Sequence, residues 1–292
     1  MRDPLEQRAA AALGTAVRRS ERVAGGSINQ ARHLWLEDGR EVFLKHRDPA
    51  PAGMFAAEAE SLRWIARSDT IRVPEVHAVD DAYLALEWID PGPPMAGHDE
   101  ALGRGLAALH RSGAPRFGQP WDGPGFIGPV PFPAGWFDDW PTCLAESRLL
   151  PLGRLARDAA VIDEADARAL ERLCARLEEW YPADVPPARL HGDLWSGNRH
   201  RDESGSPVLI DPCASGGNRE IDLAMMHLFG GFSARVFDAY DDAWPVDQGE
   251  PDRRDLNQLV PLLVHAVLFG GGYVDRALAI VRRRVGVRGA DG

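Results

Sequence analysis

The chain has 292 residues, 45% hydrophobic and 26% charged, which excludes a disordered tail and gives length for about two domains. Its 33 Lys and Arg against 44 Asp and Glu leave a formal charge of −11, the wrong sign for a general nucleic-acid binder, so any anionic substrate must meet a local positive site. Cys143, Cys174 and Cys213 form neither a CxxC pair nor an even set, and no apolar run approaches the ~20 residues that span a bilayer; both point to a soluble cytoplasmic protein with no membrane contact.

In chain order, an amphipathic helix is expected at 4–18, followed by strands at 20–24, 31–37 and 41–46. Asp38-Gly39 joins the last two as a hairpin turn. Strand alternation then sets Phe43 and Lys45 on one face and Val42 and Leu44 on the other. Lys45 stands apart for a second reason: it is the only lysine in the chain, every other basic side chain being arginine. GC-rich coding exchanges replaceable lysines for arginine, so a survivor marks either chance or a site that needs a compact ammonium.

A helix over 51–67 carries Met54, Phe55, Glu58, Leu62 and Ile65 on one stripe, with Glu60, Arg63 and Arg67 on the solvated side. Glu58 either reaches water from a frayed edge or meets a cation, because a half-buried carboxylate is costly alone. Strands at 73–79 and 83–89 precede Asp90-Pro91-Gly92-Pro93-Pro94, which continues neither strand nor helix and sets a boundary between 1–90 and 91–292. Beyond it the pattern is mainly helical: 98–112, 136–157, 163–181, 219–230 and two or three more, interrupted by a Gly/Pro/aromatic loop at 114–135. No internal repeat is present.

The chemistry concentrates between Leu190 and Asp222. Asp193 is followed five residues later by Asn198, and Asp211 ends the apolar run Val208-Leu209-Ile210. That is the layout of phosphoryl transfer: a proton acceptor for an attacking hydroxyl, then an amide and a carboxylate as hard oxygen ligands for Mg²⁺. HGD alone also suits a metal-hydrolase loop or a plain turn, but no HxH or HExxH spacing joins His191 and His200 to Asp211. Gly25, Gly26 and Ser27 lie between the first two strands, where a loop covering phosphates belongs, although Gly-Gly-Ser is also an ordinary turn. His265, in an apolar helix, reads as a core histidine.

AGGSIN, FLK at Lys45, FAAEAESL at Glu58, FIG at Ile127, HGDLWSGN, IDP, REIDLAMMHLFGGF and HAVLFGGGY together resemble the fructosamine kinase (ketosamine 3-kinase) family, within the protein-kinase-like and aminoglycoside-phosphotransferase-like superfamily. The resemblance covers almost the whole chain. It implies an α+β fold of two lobes, a small antiparallel N-terminal lobe and a larger helical one, with ATP between them. It further implies Asp193 as catalytic base, Asn198 and Asp211 as Mg²⁺ ligands, and Lys45 and Glu58 orienting phosphates. Glu87, Trp88 and Ile89 look like the hinge that meets adenine, and Trp195 is similar to the residue that faces the sugar. His191 and Asp222 serve as supports of the catalytic loop.

The resemblance implies as acceptor a sugar-amine adduct, free or protein-bound, phosphorylated at O3 in the repair of glycated amines; a monomer is assumed. Only eleven residues separate Asp211 from Asp222 with no APE-like motif, which leaves no room for a loop that docks a protein substrate. Departures from the family pattern fall on the acceptor side: Phe132 and Ala134 replace polar positions, Cys143-Leu144 replaces an aromatic pair, and Ala214 to Asn218 replaces an aromatic-rich segment. A kinase for an aminoglycoside, choline or another amino alcohol is therefore the competing enzyme reading. A non-catalytic nucleotide-binding scaffold is the competing non-enzyme reading.

Overall fold

The computed structural model describes residues 3–24 and 29–286. Helix α1 (Pro4–Leu13) is capped by Asp3, whose carboxylate accepts the Leu5 N–H at 3.0 Å, and ends at the left-handed Gly14. That stop falls short of the expected 18 and frees Val17 to begin strand β1 (Val17–Val23). Strands β2 (Gln30–Leu36), β3 (Glu41–His46), β4 (Val76–Asp80) and β5 (Tyr83–Glu87) complete an antiparallel sheet in the order β1-β2-β3-β5-β4. Pro74, which has no N–H to donate, accounts for β4 beginning after the expected 73.

The two faces of β3 go where alternation sends them. Val42 and Leu44 are buried under α1 with Leu34 and Tyr83, while Phe43 packs on the opposite side with helix α2 (Met54–Ala66). Phe55, Leu62 and Ile65 of α2 are fully or almost fully buried, and Glu60 pairs outward with Arg63 at 2.8 Å. Glu58 therefore lies on the same buried stripe that holds α2 to the sheet.

The second part starts with α3 (His98–Arg111). Short strands β6 (Phe117–Gly118), β7 (Gly125–Ile127), β8 (Val130–Phe132) and β9 (Trp136–Phe137) occupy the stretch expected to be a loop and the start of the expected 136–157 helix. That helix is broken. Asp139 caps a fresh start by accepting the Thr142 N–H at 2.8 Å, giving α4 (Trp140–Leu144), a π-helical turn (Ala145–Leu149) and α5 (Leu150–Asp158). The Ser147 hydroxyl donates to the Cys143 carbonyl at 2.7 Å, a side-chain bond that competes with the helical ladder where the turn widens.

Helix α6 (Glu164–Cys174) covers only the first part of the expected 163–181 segment. Strand β10 (Ala188–Leu190), hairpin β11 (Arg199–Arg201) and β12 (Pro207–Leu209), and strand β13 (Ser215–Gly217) frame the HGD and IDP segments. Helices α7 (Glu220–Phe229), α8 (Ala234–Ala243), α9 (Glu250–Phe269) and α10 (Gly272–Val285) complete the chain. The fold is thus a mixed one, an antiparallel N-terminal sheet with α2 beside it and a mainly helical remainder. Among the described residues no helix is long and apolar enough to cross a membrane.

Candidate active site

Lys45 projects from β3 toward α2 and the end of the β11–β12 hairpin. Its ammonium lies 2.8 and 2.9 Å from the two Glu58 carboxylate oxygens and 3.1 Å from Asp211 Oδ1. Burial disfavours that charge, but the Asp211 and Glu58 carboxylates outweigh burial and hold the lysine above its ordinary pKa. The pairing of Lys45 with Glu58 answers the question the helix stripe left open. It also draws in Asp211, 166 residues further along the chain than Lys45.

Asp211 follows β12 with φ 54°, a left-handed conformation that an aspartate tolerates better than most residues and that concentrates at functional sites. The Asn198 amide nitrogen donates to the Asp193 carbonyl at 2.7 Å and to the Asp193 carboxylate at 3.2 Å. The backbone closes the same knot, since the Ile210 N–H donates to the Asn198 carbonyl at 3.0 Å. Burial and the neighbouring Asp211 charge raise the Asp193 carboxyl to about 7, against the Asn198 hydrogen bond and the Lys45 ammonium. A carboxylate so placed is a competent proton acceptor, and two carboxylates sharing one cleft leave negative charge for a cation to meet.

His191 and Asp222 hold this loop from behind. Asp222, with no exposed surface, accepts the His191 and Gly192 backbone N–H groups at 2.7 and 2.8 Å and the His110 Nε2 donor at 3.1 Å. Burial pushes its carboxyl up, yet His110, His191 and the Gly192 N–H together hold it below the ordinary value. Burial keeps the His191 ring uncharged, so Nε2–H donates to the Ile210 carbonyl at 3.0 Å while Nδ1 faces the Asp193 N–H at 3.3 Å. His110 and its partner Tyr240, 2.7 Å away, have no motif to announce them. Their only sequence signal is an amphipathic helix bearing a histidine on its buried face.

Gly192 has φ +83°, and a Cβ there would stand 1.9 Å from the Cys213 carbonyl oxygen. Gly192→Ala is therefore expected to lower stability by more than about 1–3 kcal/mol, read as a fall in the urea midpoint. A wild-type midpoint would contradict this close approach.

Trp195 is 42% exposed, with its ring lying across Gly197, where a Cβ would meet the indole at 2.2 Å. Glu87 ends β5 and pairs with Arg72 at 2.5 Å. The Trp88 N–H donates to the Glu41 carbonyl at 3.3 Å, and the Ile89 carbonyl faces His200 Nε2 at 3.0 Å. The Trp88 ring stacks on His33 with centroids 3.5 Å apart. Gly25, Gly26 and Ser27 lie outside the described residues.

A sequence profile of the fructosamine kinase family matches residues 2–286. The chain belongs to that family. It is 37% identical to the protein named Probable ketoamine kinase of Enterococcus faecium over 88% of this chain and 92% of the relative. It is 34% identical to the Arabidopsis thaliana protein-ribulosamine 3-kinase, chloroplastic, over 89% of this chain and 80% of the relative. The crystal structure of a candidate fructosamine-3-kinase from Thermobifida fusca superposes with a TM-score of 0.86 at 39% identity, covering 97% of this chain and 99% of the other. These matches make the fructosamine kinase family member a phosphotransferase of protein-kinase-like fold.

Its departures from the family pattern are mostly internal. Phe132, Cys143, Leu144 and Ala214 are all buried, and the Arg148 guanidinium lies 4.6 Å above the Phe132 ring. Ala134 and Trp136, in contrast, are exposed.

Proposed function

We propose that this fructosamine kinase family member transfers the γ-phosphoryl group of ATP to a sugar hydroxyl, O3, of a ribulosamine or fructosamine, and so initiates repair of glycated amines. The observation that carries the phosphoryl-transfer part is the Lys45 ammonium held between Glu58 and Asp211 at 2.8 and 3.1 Å. A cation fixed in this way is ready for phosphate oxygens, and Glu58 keeps it aimed.

Asp193 accepts the proton of the sugar hydroxyl as that oxygen bonds to phosphorus and the bond to the ADP oxygen breaks. Asn198 and Asp211 suit Mg²⁺, which takes hard oxygen ligands and typically shares one or two protein oxygens with substrate phosphates. Bound there, the ion would neutralise phosphate charge. Asp211, 3.1 Å from the Lys45 ammonium, would be one of the residues that hold it. Glu87, Trp88 and Ile89 border the adenine side, and Trp195 stacks on the sugar.

A coupled ADP-release assay with MgATP tests this across ribulosamine, fructosamine, choline and aminoglycoside acceptors, with phosphorus–proton correlation NMR locating the phosphate. Turnover with a ketosamine and coupling to H3 is expected. Turnover confined to choline or an aminoglycoside would overturn the ketosamine reading, and Ala134 beside the exposed Trp136 is where a changed acceptor wall would act.

A further inference from the structure

Beside the catalytic loop lies a cavity of about 20 Å³ whose walls include Cys143, Arg148, Gly192, Cys213, Ser215 and Gly216. That is room for about one or two water-sized atoms, not for a ring. Its place is fixed by the catalytic segments, since Gly192 immediately precedes Asp193 and Cys213 follows Asp211 by two. Arg148 and Gly192 are the only lining residues that are not buried, so the cavity opens where the Gly192-Asp193 segment reaches solvent. The Cys213 thiol lies close enough to both Arg148 and Asp193 for each charge to act on it, which puts the guanidinium and the base in one neighbourhood. Cys143, Ser215 and Gly216 also fall where this chain departs from the aromatic residues of the family pattern, and rings there would fill the space.

Arg148 is the only charged residue of the lining, and its partners are all neutral. Its Nη1 donates to the Ser147 carbonyl at 3.1 Å and hydroxyl at 3.3 Å, and Nη2 donates to the Ser215 hydroxyl at 3.2 Å. The Phe132 ring, 4.6 Å away, sets the plane of the guanidinium. Of the five N–H donors, Nε–H and one Nη2–H stay unengaged among the described residues, two donors being what arginine uses to grip a carboxylate. The Ser215 hydroxyl accepts from Arg148 and keeps its own proton for a further acceptor. Carboxylates in the neighbourhood are engaged elsewhere: Asp139 by the Thr142 N–H, Asp193 by Asn198, and Asp222 by His110 and two loop N–H groups.

We propose that this cavity receives a carboxylate carried on the amine of the acceptor, so that the preferred ketosamine is built on a free amino acid. The inference rests on the ketosamine reading above and decides between the free and protein-bound adducts that the sequence left open. A partly buried guanidinium with two open donors and a hydroxyl beside it complements an anion, and the small volume admits an end group such as a carboxylate. In a protein-bound adduct the same carbon is locked in a peptide bond and brings no charge. Arg148 at one end and Asp193 at the other would then hold a free adduct by its carboxylate and its sugar.

The ribulose ketosamines of glycine and of glycinamide test it, because they differ only in carboxylate against carboxamide. KM from ADP release with MgATP and Kd from calorimetric titration are measured for both on wild type, Arg148→Met and Arg148→Lys. Wild type should favour the glycine adduct by about 5- to 50-fold, and Arg148→Met should bring that ratio near one. Arg148→Lys, which keeps the charge without the fork, should fall between them and carries the comparison if Arg148→Met does not fold. Each ratio is internal to one protein, so a smaller folded fraction cancels. Equal constants for the two probes on wild type, a preference undiminished in the variants, or no binding of either probe would overturn the carboxylate site. Turnover of both adducts at equal KM would do so while the kinase reading stands. Selective binding of the glycine adduct without ADP release would sustain the site and overturn the ketosamine kinase reading.

Discussion

Asp193→Asn is expected to reduce kcat by about 10²–10⁴-fold while ATP affinity is retained. The argument is geometric. Asn keeps the shape of the side chain and the backbone contact from the Asn198 amide at 2.7 Å, so the loop stays closed. What disappears is the group able to accept a proton. Asp193 is also a buried carboxylate that shares its cleft with the Asp211 charge, an arrangement that disfavours its ionised form. Removing one of two like charges lowers that repulsion, so the variant should melt no lower than wild type while losing turnover. Single-turnover ADP release, titration with a fluorescent ATP analogue and a thermal melt check the three parts. Wild-type turnover in Asp193→Asn would remove it as the base, and lost ATP binding would show that the loop had moved.

That site was legible to the extent that short-range rules govern it. Period-two alternation put Lys45 on one face of β3 and Val42 with Leu44 on the other, and the three-and-four stripe put Glu58 inward on α2. Those two facts needed only the hairpin at Asp38-Gly39 and a helix, and the 2.8 Å ion pair follows once the two elements pack. The spacing of Asp193, Asn198 and Asp211 was legible for a similar reason, because one loop and one hairpin carry all three.

The supports were illegible because their partners are remote in sequence. Asp222 meets His110 across 112 positions, and Glu220 accepts two bonds from Arg253 in the α7–α9 contact. No local pattern distinguishes such a histidine or arginine from a solvated one. The break in the expected 136–157 helix shows a different blindness. Apolar periodicity continues through Trp140, Leu144 and Leu149, but the Asp139 cap and the Ser147 bond to Cys143 O decide where helices start and where the turn widens. The same holds for α7 and α9, where counting glycines cannot reveal which way the backbone leaves the helix.

Lys45→Met should have the second large effect, and on two quantities at once. The variant leaves the largely buried Glu58 carboxylate without its cation, and breaking such a pair costs about 3–5 kcal/mol. It also removes the charge proposed to hold phosphate oxygens, so kcat/KM for ATP should fall steeply. Glu58→Gln added to Lys45→Met removes the stranded charge, and the double variant should recover much of the lost stability and none of the activity. Lys45→Arg separates the effects in the other direction: it keeps a cation beside Glu58 and Asp211, so the urea midpoint should stay close to wild type. A planar guanidinium cannot occupy the same point between oxygens 2.8 and 3.1 Å from one nitrogen, so phosphate alignment and turnover should still suffer. Urea midpoints and ATP kinetics on the four proteins decide the matter. Additive losses of stability in the double variant would mean that Lys45 and Glu58 do not act as a pair, and unchanged ATP kinetics in Lys45→Arg would mean that a compact ammonium is not what the site requires.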